Sequence, residues 1–215
     1  MDLPTPIAAS DGWIPIGLEL LSPIEPGPQV LGETQALLAP PTARFLTVSD
    51  MDDTVLQSHV TSLVQAFRTV LLGNARTRLP FPGVAAFYRA LHAGASGGEQ
   101  NPIVYVSSSP WNLYDLLTDF LDHQGIPRGP LTLRDWDLNR EALGRSRLHR
   151  FKDAAIREIM EAYPTLPVIL VGDSSQQDPE IYRDVVREFP ERALAIYSRR
   201  EADRRASRGD RCSGR

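Results

Sequence analysis

The feature that most constrains the fold is a short apolar run that leads directly into a cluster of acidic residues. The stretch spans residues 44–54, and its polar end consists of the carboxylates of Asp50, Asp52 and Asp53 and the hydroxyl of Thr54. Desolvation and mutual repulsion both oppose so many carboxylates at the end of a buried strand, which favours a chemical role. Residues two apart on a strand face the same way, so Asp50 and Asp52 should share one side while Met51 points to the core. The structural alternative is an Asp-rich turn that merely ends the strand.

Further apolar runs alternate with segments of helical spacing. Residues 102–106 and 167–171 form continuous apolar runs, typical of strands covered on both faces. Shorter strands are predicted at 131–133 and 193–197. Helices are predicted at 60–72, from Pro82 to about 91, from Pro110 to Gly125, from Arg145 to Met160, and from Pro179 to Val185. This alternation predicts an α/β fold with a doubly wound, Rossmann-like, mostly parallel sheet.

The chain divides into three parts by composition. Residues 1–43 are rich in proline and contain two strand-like runs, at 13–20 and 29–34, which cannot form a core by themselves. We expect this segment either to pack on the main domain or to be the remnant of a larger β module. Residues 44–198 form the main domain. Residues 199–215 carry a net charge of +4 within a chain of net charge −4, and we expect this basic tail to be disordered.

Several functional classes are disfavoured by the sequence. The single cysteine, Cys212, excludes an intrachain disulfide. The first residues lack the features of a signal peptide, and no apolar run approaches the roughly 18 residues of a membrane span. A mean hydropathy of −0.23 is typical of a soluble globular protein, and the net charge gives no argument for a nucleic-acid partner. We expect a cytoplasmic protein whose membrane contacts, if any, are peripheral; the oligomeric state is left open.

Polar groups follow several of the predicted strands. Because a parallel sheet places the carboxyl ends of its strands on one edge, these groups should meet there, and a lysine early in a helix could reach the same edge. Two carboxylates, a hydroxyl, a cation and further acids are what phosphoryl transfer through an aspartyl-phosphate with a divalent metal requires. The candidate residues are Asp50, Asp52, Ser107, Lys152, Asp173 and Asp178.

Each candidate also has a structural alternative. Ser107 would cap the helix that begins near Pro110, and Lys152 would be a solvated cation. Asp173 and Asp178 would be a loop cap and a helix N-cap. All these alternatives would have to hold at once. His59 and His92 are predicted to be surface or packed residues and not ligands. Trp111 and Tyr114 are predicted to be packing residues and not substrate contacts.

These motifs resemble those of the haloacid-dehalogenase-type phosphohydrolase superfamily. The pattern D-x-D-x-T spans 50–54, the serine ends a strand at Ser107, the lysine is Lys152, and G-D-x-x-x-x-D spans 172–178. More narrowly, segments 48–54, 106–114 and 171–182 resemble the catalytic domain of the actin-patch-associated phosphatidate phosphatase family. The likeness covers about 40–198, and 10–43 resembles the shortened end of a β-rich region that precedes this domain in relatives.

The resemblance implies a role for each residue. Asp50 would attack phosphorus, and Asp52 would protonate the leaving alkoxide and later activate water. Thr54 would help to fix Asp52. Ser107 and the amide of Ser108 beside it would hold a phosphoryl oxygen. Lys152 would neutralise the charge of the transition state.

The resemblance also implies a cofactor and a cap. Mg²⁺ would bind Asp50, the backbone carbonyl of Asp52, Asp173, and Asp178 directly or through water. Helices between 55 and 93 would form a small cap insert that leaves the site open. Three residues depart from the family pattern: Met51, Ser108 and Phe151. The last two could shift substrate choice.

Three functions follow from these expectations. The first is a Mg²⁺-dependent phosphatase that converts phosphatidate to diacylglycerol at a membrane surface, with basic segments such as 145–152 or the tail meeting anionic head groups. The second is a phosphatase of soluble phosphomonoesters such as nucleotides, sugar phosphates or polynucleotide ends. The third is a binding module that retains the fold without catalysis.

Overall fold

The computed structural model describes residues 12–19, 31–51, 83–135, 145–173 and 178–199. Within these ranges the chain forms seven strands and four α-helices. The strands are β1 Trp13–Glu19, β2 Leu31–Leu37, β3 Leu46–Asp50, β4 Ile103–Pro110, β5 Leu131–Arg134, β6 Val168–Asp173 and β7 Ala193–Arg199. The helices are α1 Val84–Ala93, α2 Tyr114–His123, α3 Arg145–Ala162 and α4 Asp178–Glu188, with a short 3-10 turn at Trp111–Leu113 before α2.

The central sheet has five strands in the order β5-β4-β3-β6-β7, and every neighbouring pair is parallel. Both faces are covered: α1 and α2 pack on one, and α3 and α4 pack on the other. Because a strand covered on both faces buries every side chain, its sequence is a continuous apolar run without alternation. The predicted doubly wound, mostly parallel α/β fold is confirmed.

Alternate residues of β3 contribute to the two cores. Met51, immediately after the strand, is fully buried with Tyr88 and Leu117 in the core under α1 and α2. Leu46 and Val48 are buried in the core under α3 and α4. The prediction that Met51 points into the core is therefore confirmed.

The chain reverses its direction of travel across the sheet at the boundary between β3 and β6. From β3 it moves outward through β4 to β5, and it then returns to β6 and moves outward to β7. In open α/β sheets the crevice at such a reversal, outside the carboxyl ends of the strands, is where ligands bind. Asp50 ends β3 and Asp173 ends β6, so both border this crevice.

The N-terminal strands form a hairpin that is separate from the central sheet. β1 and β2 pair antiparallel, with Trp13 opposite Leu37, and most of their residues are exposed. The hairpin contacts the main domain where the Tyr163 hydroxyl donates to the Leu37 carbonyl at 2.8 Å and where the Arg128 guanidinium lies 6.0 Å from the centre of the Trp13 ring. The hairpin thus packs on the domain; its origin in a larger β module stays a prediction.

Several predictions fall outside the described ranges. They concern the helix at 60–72, which is the first helix of the predicted cap insert, the residues Asp52, Thr54 and His59, and the tail from residue 200 onward. The assignment of the second helix between 55 and 93 to the cap is wrong, because α1 packs on the sheet and its Tyr88 and Leu91 are buried in the core beneath it. β7 continues through Arg199, one residue beyond the predicted end of the main domain. Within the described ranges, none of the helices combines the length and apolar character that a bilayer crossing requires.

Candidate active site

Asp50 lies buried at the carboxyl end of β3, with only 2% of its surface exposed. The preceding residue helps to hold this end of the strand, because the Ser49 hydroxyl donates to the Asp50 carbonyl at 2.9 Å. That hydroxyl is also 2.5 Å from the Tyr88 hydroxyl of α1. Burial raises the pKa of Tyr88 above its usual value, and the Asp50 carboxylate adds to the rise, so Tyr88 stays protonated and donates to Ser49.

Lys152 of α3 contacts the Asp50 carboxylate directly. Its Nζ lies 2.7 Å from Oδ1 of Asp50 and 2.9 Å from Oδ1 of Asp178. Its position follows from the pattern of α3, whose Ala155 and Ile156 are buried against the sheet. Only 8% of the lysine side chain is exposed, so the alternative of a solvated cation is excluded.

Asp178 begins α4 and connects Lys152 to the end of β6. Its Oδ1 accepts from Lys152, and its Oδ2 accepts from the Asp173 amide at 3.1 Å. A side chain at Gly172 would collide here, since an added Cβ would lie 2.7 Å from Asp178 Oδ2 and 2.6 Å from the Tyr182 hydroxyl. Glycine is required by this close approach, which explains the glycine in the motif at 172–178.

Tyr182 supports the same strand end from one turn further along α4. Its hydroxyl donates to the Val171 carbonyl at 2.8 Å. Burial raises the pKa of Tyr182 well above its usual value, and the carboxylates of Asp178 and Asp50 add to the rise. Tyr182 is therefore a neutral, permanent donor that joins α4 to β6.

Arg199 is a neighbour of the site that the sequence analysis missed. One of its terminal nitrogens lies 3.3 Å from Oδ2 of Asp173, and the two residues pair across β6 and β7. Arg199 had been predicted to be the first residue of the basic tail at 199–215. The sequence did contain a feature that points to Arg199. This residue follows the last apolar run, just as Asp50 and Asp173 follow earlier apolar runs.

Ser107 and Ser108 lie near the end of β4, on the strand next to Asp50. Ser107 is fully buried and its Oγ accepts from the Ser109 amide at 3.0 Å, while Ser108 is partly exposed. Neither the 3-10 turn nor α2 has a side-chain N-cap, so the alternative that Ser107 caps a helix is excluded. A hydroxyl that accepts one hydrogen bond can still donate another, as a phosphoryl contact would require.

Ser109 is a second residue that the sequence analysis did not select. It is 2% exposed, and its hydroxyl has no hydrogen-bond partner within the described part of the chain. It lies two residues after Ser107, on the same side of the strand. The run of three serines at 107–109 was the sequence feature that could have identified Ser109 as a candidate site residue.

The prediction that Trp111 and Tyr114 are packing residues is wrong. Trp111 is 47% exposed and Tyr114 is 42% exposed. Their rings stack on each other with centroids 5.9 Å apart. Leu113, between them, fills the core instead, because the 3-10 turn rotates it inward.

His92, by contrast, is held by the Asn101 carbonyl at 2.9 Å from its Nδ1, which confirms it as a packed residue.

The charges at this edge leave a surplus of negative charge. Asp50, Asp173 and Asp178 face the positive charges of Lys152 and Arg199, so the described groups sum to −1. Carboxylate oxygens are the ligands that hard cations such as Mg²⁺ prefer, and the donor set fits such an ion in chemistry and charge. In the described ranges, no group of three or more acidic, histidine or cysteine side chains is arranged so that it could hold a metal ion by itself. Asp52, which the motif contributes, lies outside those ranges.

The arrangement can support a specific kind of chemistry. A buried carboxylate held beside a buried ammonium can act as a nucleophile toward a phosphorus centre whose charge the ammonium offsets. Asp50, Lys152, Asp173 and Asp178 are brought together at one edge, whereas Asp52 and Thr54 lie outside the described ranges.

Comparison with known proteins identifies relatives. Over 197 residues, or 90% of this chain and 32% of the relative, the sequence is 31% identical to phosphatidate phosphatase APP1 of Saccharomyces cerevisiae. Over 155 residues, 71% of this chain and 24% of the relative, it is 27% identical to an uncharacterized protein of Schizosaccharomyces pombe. The chain thus spans about a third or less of the length of these curated relatives.

A solved structure shows a weaker likeness. The HAD domain of the effector protein Lem4 from Legionella pneumophila, an inactive mutant, aligns with a TM-score of 0.46 and 12% sequence identity over 76% of this chain and 88% of that one. A likeness at this level does not bear on function.

The family comparison covers most of the chain. Residues 45–200 match the family described as phosphatidate phosphatase APP1, catalytic domain. The matched region contains every described residue of the site, from Asp50 to Arg199, and it confirms the resemblance found in the motifs. The chain therefore belongs to the family of the phosphatidate phosphatase APP1 catalytic domain.

Proposed function

We propose that this chain is a Mg²⁺-dependent phosphomonoesterase that acts through an aspartyl-phosphate on Asp50 and converts phosphatidate to diacylglycerol. The observation that carries the proposal is the buried contact of Lys152 with both Asp50 and Asp178 at the crevice between β3 and β6. A structural ion pair has no need of this position, whereas a phosphoryl-transfer site does.

The residues divide the reaction into two steps. A carboxylate oxygen of Asp50 forms a bond to phosphorus while the bond from phosphorus to the leaving oxygen breaks, and Asp52 gives that oxygen a proton. Asp52 then takes a proton from water, whose oxygen attacks phosphorus and releases Asp50 as a carboxylate. Lys152 offsets the negative charge that builds up in both steps.

Ser107 and Ser108 hold and orient the phosphoryl group in this scheme. They lie at the end of β4, the strand that pairs Val106 with Asp50, so they are the next polar groups along the edge from the nucleophile. Thr54 fixes Asp52. Orientation of the phosphorus in line with the attacking oxygen lowers the entropic part of the barrier.

Asp50, the backbone carbonyl of Asp52, Asp173 and Asp178 would hold the Mg²⁺ ion. When bound, the ion neutralises phosphoryl oxygens and helps to orient them. The surplus negative charge of the described groups supports this assignment.

The substrate is proposed from the relatives. The yeast relative is named a phosphatidate phosphatase, and the family carries the same name. A cytoplasmic enzyme that acts on this lipid would work at a membrane surface. The experiment below distinguishes a lipid substrate from the soluble phosphomonoesters that the same chemical groups could also serve.

The test measures phosphate release from phosphatidate in mixed micelles, from p-nitrophenyl phosphate and from a panel of nucleotides, with Mg²⁺ and with EDTA. We expect Mg²⁺-dependent release from phosphatidate and a fall of at least about 10³-fold in the Asp50→Asn variant, because the nucleophile is removed. Asp184→Asn, at a half-exposed carboxylate of α4 that pairs with Arg183 and Arg187, is the matched control and should keep full activity.

Three outcomes would contradict the proposal. If the chain hydrolyses nucleotides but not phosphatidate, the proposed substrate is wrong and the proposed phosphatase mechanism is retained. Activity that persists in Asp50→Asn would remove Asp50 as the nucleophile, and silence of the unmodified chain on every substrate would favour a binding module.

A further inference from the structure

A buried tyrosine of α1 is connected to the backbone of Asp50 through a single serine. The Tyr88 hydroxyl lies 2.5 Å from the Ser49 hydroxyl, and the Ser49 hydroxyl donates to the Asp50 carbonyl at 2.9 Å. A serine hydroxyl has one proton, and because Ser49 gives it to this carbonyl, Tyr88 must be the donor to Ser49. Tyr88 is 1% exposed and Ser49 is fully buried, so neither hydroxyl is open to a substrate.

The pairing of β3 with β6 ends at this point. The two strands keep their register only as far as Ser49 and Val171, although β6 continues to Asp173. The next groups on β6 have partners elsewhere: the Val171 carbonyl accepts from Tyr182, and the Asp173 amide donates to Asp178. The split opens the crevice between the two strands, and Ser49 supplies a hydrogen bond to the last residue of β3 where this pairing stops.

The peptide bond between Asp50 and Met51 is held at both of its polar atoms. Its oxygen accepts from Ser49, and its nitrogen, the Met51 amide, donates to the Val106 carbonyl at 3.0 Å. The orientation of this peptide plane and the direction of the Asp50 side chain are linked, because both depend on the backbone dihedrals of Asp50. A restraint on the carbonyl is therefore also a restraint on where the carboxylate points.

A carboxylate that attacks phosphorus needs such a restraint. The Lys152 ammonium lies 2.7 Å from Oδ1 of Asp50 and also contacts Asp178, so it draws the Asp50 carboxylate toward the start of α4. In-line attack depends on alignment, and a displacement of about 1 Å can cost about 10²-fold in rate. The hydrogen bonds of the peptide after Asp50 hold the strand end against this attraction.

Core packing accounts for the ring of Tyr88 but not for its hydroxyl. The ring packs against those of Phe87 and Tyr105, with centroids 5.4 and 5.9 Å away, and a phenylalanine would fill the same space. Tyr105 offers a comparison in the same core, because it is also fully buried and its hydroxyl donates to the Pro127 carbonyl at 2.8 Å. The two hydroxyls are alike in burial and in having a partner, and they differ in whether that partner leads to Asp50.

We infer that Tyr88 is a positioning residue: through Ser49 it holds the peptide that follows Asp50 and so keeps the carboxylate in line with phosphorus. The inference rests on the proposed function, in which Asp50 is the nucleophile. Because Tyr88 acts on the backbone and does not touch the substrate, its hydroxyl should contribute to kcat and leave KM unchanged.

The first experiment measures kcat and KM on p-nitrophenyl phosphate and on phosphatidate, at a temperature where every variant is folded. Tyr88→Phe should lower kcat by about tenfold and change KM by less than about twofold. Tyr105→Phe, which loses a buried hydroxyl of the same kind, is the matched control and should keep kcat within about twofold. Ser49→Ala should lower kcat at least as much as Tyr88→Phe. The double variant should be no slower than Ser49→Ala, because the effect of Tyr88 passes through Ser49.

The second experiment needs no turnover. Hydrogen exchange of the Met51 amide, followed by NMR, reports how firmly the peptide after Asp50 is held. Tyr88→Phe should raise this exchange rate by about tenfold, because the Ser49 hydroxyl loses the donor that orients it toward the Asp50 carbonyl. Tyr105→Phe should leave the rate within about twofold of that in the unmodified chain, which corrects for any general loss of stability.

The outcomes separate this inference from the proposed function. Equal losses of kcat in Tyr88→Phe and Tyr105→Phe would indicate a general loosening of the core and would overturn it. An unchanged kcat in Tyr88→Phe, or losses that add in the double variant, would overturn it as well. Unchanged exchange of the Met51 amide in Tyr88→Phe would reject it whatever the kinetics. If the unmodified chain hydrolyses neither substrate, the proposed function fails, and faster Met51 exchange in Tyr88→Phe alone would still retain Tyr88 as the residue that holds the Asp50 peptide.

Discussion

Lys152 is the residue on which the geometry of the site depends most. Its ammonium lies between the carboxylates of Asp50 and Asp178, and all three groups are nearly inaccessible to water. Burying charges is costly, and removal of one partner leaves the others without compensation. The lysine therefore contributes both to the stability of the fold and to the chemistry of the site.

Replacement of Lys152 by methionine should lower activity and stability together. We expect phosphate release to fall by about 10²- to 10³-fold and the free energy of unfolding to fall by about 3 kcal/mol. Urea denaturation and initial rates measure the two effects. Arg150→Met, at an exposed position of the same helix, is the control and should leave both unchanged. Unaltered stability of Lys152→Met would show that the buried pairing is not needed for folding.

Gly172 tests how tightly β6 and α4 approach each other. A methyl group here meets the Tyr182 hydroxyl, the Tyr182 ring and the Asp178 carboxylate, all closer than 3.0 Å. Gly172→Ala should therefore destabilise the fold by about 1–3 kcal/mol and reduce activity by moving Asp178 away from Lys152. Gly98→Ala is the control, because nothing lies near the added methyl group. Thermal melts that match for the two variants would mean that the strand end is more adaptable than its contacts indicate.

Among the elements, the connection from α1 to β4 holds the start of the nucleophile-bearing strand. Asn101 is fully buried, and its side-chain oxygen accepts from the amides of Arg44 at 2.7 Å and Phe45 at 3.3 Å. Its side-chain nitrogen donates to the Leu91 carbonyl at 3.0 Å and to Glu99 at 2.8 Å. One amide side chain thus joins the end of α1 to the segment that enters β3, at the edge opposite the site.

This connection should make stability depend on pH. The hydrogen bond from Asn101 holds the pKa of Glu99 below its usual value of 4.5. A lowered pKa in the folded state means that the carboxylate stabilises the fold above about pH 4.5 and that this contribution is lost as the pH falls through the folded value. Glu99→Gln should remove that part of the pH dependence.

The measurement is the melting temperature at pH 7, 5 and 3. The difference between the unmodified chain and Glu99→Gln should be largest at pH 7 and should shrink by pH 3. Glu158→Gln, at an exposed carboxylate of α3, serves for comparison and should show little difference at any pH. A constant difference for Glu99→Gln across the range would refute the linkage.

At the scale of the whole molecule, the hairpin β1–β2 forms a two-stranded sheet separate from the central one. Most of its residues are exposed, and its described links to the domain include the bond from Tyr163 to Leu37 and the contact of Arg128 with Trp13. The five-stranded sheet has its own two cores. The domain should consequently fold without the hairpin.

A shortened chain that begins at Leu38 provides the test. It should unfold cooperatively, with a melting temperature lowered by no more than about 5 °C, because little apolar surface is buried by the hairpin. Its activity on p-nitrophenyl phosphate should stay within about twofold of the full chain. Loss of cooperative unfolding would show that the hairpin is part of the folding unit. The full chain with Tyr163→Phe would then measure how much the hydrogen bond from Tyr163 to Leu37 contributes.

Agreement between sequence and structure is strongest where a residue's role follows from its position on a strand. Asp50, Asp173 and Lys152 were selected as strand-end or helix-start groups, and they lie at one edge. The prediction and the structure disagree most at Trp111 and Tyr114, because residue type alone favours burial of large aromatic side chains. Arg199 was missed because its charge matched the basic tail that follows it.

The sequence by itself determined the alternation of strands and helices, the burial of the sheet on both faces, and the polar groups that end the strands, because these depend on local patterns of apolar and polar residues. Only the tertiary structure decided that Lys152 bridges Asp50 and Asp178, that Arg199 pairs with Asp173, and that Trp111 and Tyr114 face outward. These contacts join residues far apart in the chain, and their geometry is set by strand order, register and helix packing, which no local pattern contains.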